Sequence, residues 1–182
     1  MRRCNRWKAP ARPDPTVSQE PVTLYVDADA CPVKDEVYRV ARRYAMPVAV
    51  VSRTPMRVPV DPLIQLVVEA NFGAVDDWIA EQVGPGDIVI TTDIPLAGRC
   101  LENSSQVLSP KGHPFTEDDI GEALGMRSLM ETLRQDGSVT GGPAPMAAKD
   151  RSRFLSKLDE MINAARRTHP PRPSEERKAP DS

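Results

Sequence analysis

Apolar and polar positions along the middle of the chain fall into blocks of two kinds. Short, nearly continuous runs of β-branched and aliphatic residues predict strands: VTLYV (22–26), VAVV (48–51), LIQLVV (63–68) and DIVITT (87–92), with Val107 and Leu108 a last short one. Between them apolar residues recur at helical spacing. Val33, Val37, Val40, Ala41 and Tyr44 share a face up to about Ala45, with Pro32 in the tolerant first turn. Val75, Ile79 and Val83 predict a helix from about Asp76, closed by Gly84-Pro85-Gly86, and another follows from about Pro95 to Leu101. Strands this apolar cannot face water, and their alternation with helices implies parallel crossovers. The expected fold is therefore a doubly wound, three-layer α/β: a parallel sheet with helices on both faces.

The second half changes character. Thr116 and Asp119 resemble a capping box, opening a helix to about Gln135 that is broken near Gly125. DGSVTGGPAP reads as a flexible hinge or loop. AKDRSRFLSKLDEMINAARR then puts Phe154, Leu155, Leu158, Met161, Ile162 and Ala165 on one stripe. That stripe most simply packs back on the core, adding C-terminal helices to a domain over 21–167; a homodimer contact is the alternative. Residues 1–20 and 168–182 are rich in Pro and charge without any period, which predicts disordered tails.

Composition narrows the function classes. The 182 residues suit one domain, and a formal net charge of −2 provides no overall field to gather nucleic acid or membrane. Three scattered cysteines, Cys4, Cys31 and Cys100, make neither a zinc motif nor a disulfide framework. The basic N-terminus lacks an apolar h-region, and no apolar run of ~18 residues could cross a bilayer, so the expected location is cytoplasmic. No motif for a small-molecule cofactor is evident.

The chemistry gathers in the acids. Asp27 and Asp29 follow the first strand, Asp76 and Asp77 precede the central helix, and Asp93 ends the strong strand. In a parallel sheet these places share one edge, where ligands bind. Two carboxylates about 4 Å apart repel by roughly 4 kcal/mol at an effective dielectric near 20, so they either take up protons or share a cation. Carboxylate oxygens suit Mg²⁺ or Mn²⁺, and such a site performs metal-dependent phosphodiester hydrolysis. Asp27, Asp29, Asp76 and Asp93 are the expected metal ligands, with Asp27, Asp29 and Asp93 also catalytic. The competing reading makes Asp29, Asp76 and Asp93 ordinary helix N-caps, which leaves Asp27 unexplained. Asp77 is the spare, solvated member.

Basic residues supply candidate phosphate contacts: Lys34, Arg53 and Arg57 on the same rim, and Lys111, Arg127 and Arg151 from the second half. Solvated helix faces would explain them equally well. Aromatic residues are only 4%, which argues against base stacking as the main source of affinity. Cys31 reads as a buried structural cysteine and His113 as a surface residue.

Several segments together resemble one family. VDADACPVK (26–34), GDIVITTDIPLA (86–97), and MRSLMETLR followed by GGP and DR look like the YaiI/YqxD family, over roughly Val22 to Arg167. The resemblance implies a PIN-like fold, from a nuclease superfamily with an acidic Mg²⁺ or Mn²⁺ site. It places Asp27, Asp29 and Asp93 on the acidic positions and matches Asp76 to the Asp that begins the central helix. The chain departs from the pattern at Gly73, where relatives often carry a further Asp, and in TEDDI, where they tend to have an Asn before the Ile. The function expected is a divalent-metal-dependent nuclease acting on RNA. The alternatives are a non-catalytic RNA- or protein-binding module and, behind it, a phosphatase using Asp27 of DADAC as nucleophile and Asp29 as acid/base.

Overall fold

The computed structural model describes residues 22–29, 31–122 and 146–169. The expected tails fall outside these, except for Thr168 and His169, as do Arg127 and the hinge at 136–145. Strand β1 (Leu24–Asp27) leads through helix α1 (Lys34–Tyr44) to β2 (Val48–Ser52) and then β3 (Ile64–Val68). Helix α2 (Ala74–Gln82), β4 (Ile88–Ile90), α3 (Ile94–Glu102), β5 (Gln106–Leu108) and β6 (Pro114–Phe115) follow. Helix α4 is described over 117–122, and α5 spans Ala148–Thr168.

The sheet runs β3-β2-β1-β4-β5-β6, parallel except for β6. Its strand order reverses between β1 and β4, because α2 carries the chain from β3 back across β1. That reversal opens a crevice at the carboxyl ends of β1 and β4. The antiparallel β6 departs from the all-parallel expectation: the short turn over 109–113, closed by the Ser109 N–H on the His113 carbonyl at 2.8 Å, suffices to add it beside β5.

Alternation along the strands builds two cores. Leu24, Val26, Val48, Val50, Ile88 and Ile90 face α1 and α5, joined by Phe154, Leu158 and Ile162. Tyr25, Ala49, Val51 and Val89 face α2 and α3, joined by Ile79, Leu96 and Cys100. The three layers are those expected, and the stripe on α5 packs on this chain's own core. Each fully buried Leu or Ile side chain stabilises such a core by about 1.5–3 kcal/mol.

Local chemistry sets the element ends. Thr116 and Asp119 form the full capping box: the Thr116 hydroxyl accepts from the Asp119 N–H at 3.2 Å, and the Asp119 carboxylate accepts from the Thr116 N–H at 3.0 Å. Helix α1 stops at Ala45, a left-handed residue at φ 51°. Helix α2 begins two residues earlier than expected, with Gly73 as its N-cap at φ 76°, a conformation natural to glycine. At the loop after β5, Gly112 (φ 79°) lies against the Arg153–Phe154 backbone of α5, so close that a Cβ would sit 2.6 Å from the Phe154 nitrogen.

Candidate metal centre

Parallel strands deliver their carboxyl ends to one rim, and the acids collect there. Asp27 is the last residue of β1 and Asp29 lies two residues on. Asp93 stands three residues after β4 as the N-cap of α3, its side chain accepting from the Leu96 N–H at 2.8 Å. Asp76 sits in the first turn of α2.

Buried hydroxyls fix two of these side chains. Thr91, 1% exposed at the end of β4, donates its hydroxyl to Asp27 Oδ2 at 2.9 Å and accepts from the Asp93 N–H at 3.0 Å. One hydroxyl therefore sets the spacing of the first and last acids. Ser52, 2% exposed at the end of β2, donates to Asp29 Oδ1 at 2.9 Å, and the Arg53 N–H donates to the same carboxylate at 3.2 Å. The Asp76 side chain, by contrast, has no hydrogen bond or ion pair to any described residue, although it is only partly exposed.

The carboxylates feel one another. Burial pushes the Asp27 carboxyl above the usual range; the Thr91 hydroxyl pulls it down, and the charges of Asp29 and Asp93 push it up again. Burial also raises Asp76, followed by the charges of Asp93 and Asp27, against the pull of Arg99. The four acids thus lie in one electrostatic field. Carboxylates crowded and half dried in this way favour either a proton or a cation.

Three corrections concern the caps and the spare acid. Only Asp93 caps a helix: α1 starts after Val33 without a side-chain cap, and Asp29 instead fastens β1's exit to β2's. Asp76 is displaced from the capping place by Gly73. Asp77, exposed as expected, is not merely solvated, since Arg99 of α3 holds it at 2.8 Å.

The basic residues divide. Arg53 and Arg57 stand exposed in the loop after β2, with no ion pair to a described residue. Lys34 donates its ammonium to the Ala28 carbonyl at 3.0 Å, at the edge of the site. Arg151 is committed elsewhere: it pairs at 2.6 Å with Glu36, a buried carboxylate of α1. Lys111 lies on the β5–β6 turn, where its carbonyl accepts from Arg153. Cys31 is buried as expected, its thiol pushed up to about 11 by burial, so it is no nucleophile. His113 is exposed beside Arg153.

Among the described residues, no three Asp, Glu, His or Cys side chains close into a ready cage for a metal. Mg²⁺ does not demand one, because it keeps several waters and takes one or two carboxylates together with substrate phosphate oxygens. The donor set, all hard oxygens with Asp76 unpartnered, fits such an ion.

The family model described as "Uncharacterized BCR, YaiI/YqxD family" matches residues 25–164. The chain belongs to the YaiI/YqxD family. The matched stretch holds every acid of the rim, together with Thr91 and Ser52. A UPF0178 protein of Bradyrhizobium sp. (strain ORS 278) is 55% identical over 153 residues, covering 84% of this chain and 93% of that protein. Another, from Paramagnetospirillum magneticum, is 55% identical over 148 residues, covering 81% and 98%. A third, from Bradyrhizobium diazoefficiens, is 53% identical over 152 residues, covering 83% and 91%. No solved structure matches the chain. In this YaiI/YqxD protein, Thr91 and Ser52 are the site residues that sequence reasoning missed. The one available signal was a hydroxyl at each strand's polar end, two residues before Asp93 and one before Arg53.

Proposed function

We propose that this chain is a divalent-metal-dependent phosphodiesterase acting on RNA, with Mg²⁺ or Mn²⁺ held at the rim among Asp27, Asp29, Asp76 and Asp93, one or two carboxylates binding it directly and the others through its waters. The observation that carries this reading is the convergence of Asp27, Asp76 and Asp93 from three separate elements into one half-buried field, with Asp76 unpartnered. Burial raises the cost of like charge, and a cation at the rim would offset it while leaving the carboxylates ionised. A bound cation supplies Lewis acidity to a water and to phosphoryl oxygens. Thr91 would orient Asp27 and Asp93 toward it, Ser52 would orient Asp29, and Arg53 and Arg57 would neutralise phosphates as they enter.

The test is manganese-dependent cleavage of RNA by the wild type and by Asp93→Asn. Asn caps a helix as well as Asp does, so α3 keeps its start while the site loses a charge. Cleavage by the wild type that the substitution abolishes supports the reading; equal cleavage by both refutes it.

A second reading has its own observation. Asp93 caps α3 and Asp29 fastens two strands, so two of the four acids already have structural work. In a non-catalytic module that binds RNA or protein, that work would be all they do. Metal affinity decides between the two readings.

A further inference from the structure

We propose that Phe72 is a stacking platform for one unpaired base of single-stranded RNA, with Arg53 and Arg57 gripping the adjacent phosphates. The inference rests on the acidic rim acting on phosphodiesters, and it names the residues that choose the strand.

Phe72 is 95% exposed, and among the described residues only Val60 and Val68 are other large apolar side chains left in the open. A phenyl ring in water contributes nothing to the core, and both of its faces are open to a ligand. That placement is fixed. The Ala74 N–H closes a turn onto the Asn71 carbonyl at 3.2 Å, and Gly73 at φ 76° is the N-cap onto which the Asp77 N–H bonds at 3.0 Å. The ring therefore stands on a tight turn four residues before Asp76, on the rim where the acids meet.

The neighbouring strand end supplies the charge. Arg53 follows β2 directly, its backbone N–H bound to Asp29, and Arg57 lies in the same loop. Neither forms an ion pair with a described residue, whereas Arg42, Arg99 and Arg151 are each held by a carboxylate. The two loops leave neighbouring strand ends, where Ser52 pairs with Val68 and the Glu69 N–H bonds the Ser52 carbonyl at 3.0 Å, so ring and guanidiniums belong to one rim. Proteins hold single strands with such a pair: a ring takes a base face and cations take the backbone. A duplex keeps its bases stacked inside and offers the ring nothing. With aromatic residues this sparse, the grip is on one base, and most of the affinity comes from phosphate.

Fluorescence anisotropy on the full chain reads binding without cleavage, using a short, unstructured, labelled oligoribonucleotide in chelator. Phe72→Ala should weaken binding by about ten-fold, and Phe72→Trp should restore it. Duplex RNA of the same length should be indifferent to both. Arg57→Ala should lower the slope of log K against log salt by about 0.7. Unchanged single-strand binding by Phe72→Ala overturns the proposal, as does equal weakening on single strand and duplex. A changed oligomeric state with unchanged RNA binding also overturns it, by placing the ring in a protein interface. The two proposals fail separately. RNA that binds through Phe72 but is not cut by the wild type with Mn²⁺ sinks only hydrolysis; RNA that is cut regardless of Phe72→Ala sinks only stacking.

Discussion

Replacing Thr91 with valine removes a hydroxyl of nearly the same shape and leaves the rest of the side chain in place. Two bonds are lost. Asp27 loses its donor at 2.9 Å, and the Asp93 N–H loses its acceptor at 3.0 Å. A hydrogen bond to a charged group contributes about 1.5–3 kcal/mol, and an orphaned buried N–H costs about 1–3 kcal/mol. The new methyl group returns about 0.8 kcal/mol through burial, and Asp27, partly exposed, regains some water. The expected net loss is about 2–3 kcal/mol. Urea denaturation at neutral pH in chelator should show an earlier midpoint with an unchanged slope, while Thr91→Ser should stay near wild type. A loss for Thr91→Val below about 0.5 kcal/mol would show that the hydroxyl does not tie β1 to β4, and the geometry of the site would need to be redrawn.

Other expectations follow from the same contacts. Asp27 and Asp76 hold protons more tightly in the folded chain than in the unfolded one, so the stability they contribute is fully present at low pH and is lost as pH rises through their raised values. Without metal, Asp27→Asn should flatten that limb of the stability–pH curve, and a steeper limb would contradict the assignment. Asp61 has the opposite sign: Arg42 lowers its carboxyl, so its contribution is present above the usual Asp range and is lost as pH falls, a loss that Asp61→Asn should abolish. Ala45→Gly should raise stability by about 1 kcal/mol in thermal unfolding, because it relieves a left-handed alanine at the end of α1. Arg151→Ala should destabilise by about 1–3 kcal/mol, since it strands the buried Glu36, while leaving the salt dependence of RNA binding unmoved.

How far the sequence could be read depended on the range of the interaction. Strands and helices are written in local periodicity, so β1 to β5 and the stripe of α5 were legible, as was the Thr116–Asp119 box. Two-residue β6 was not, because Pro114 and Phe115 carry no period and pair only through the turn at Gly112. The rim was legible as well, since strand ends in a parallel sheet share an edge. Its internal ties were not. Thr91 meets Asp27 across 64 residues and Ser52 meets Asp29 across 23, contacts set by sheet order. Capping rules, applied locally, gave Asp76 to a helix start that Gly73 takes instead. Phe72 lies in no run or stripe of the hydrophobic pattern, and its exposure emerges only from the fold.

The most direct test of a cation at the rim is calorimetric titration of the metal-free chain with Mn²⁺, comparing wild type with Asp93→Asn and Asp76→Asn. Asp93→Asn keeps the cap on α3, and Asp76 has no partner to lose, so neither substitution should unfold the protein. Saturable binding by the wild type, lost or greatly weakened in both variants, is the predicted result. Wild-type protein that takes up no Mn²⁺ at millimolar concentration, or variants that bind it equally well, would contradict the account and leave the acids as caps and ties.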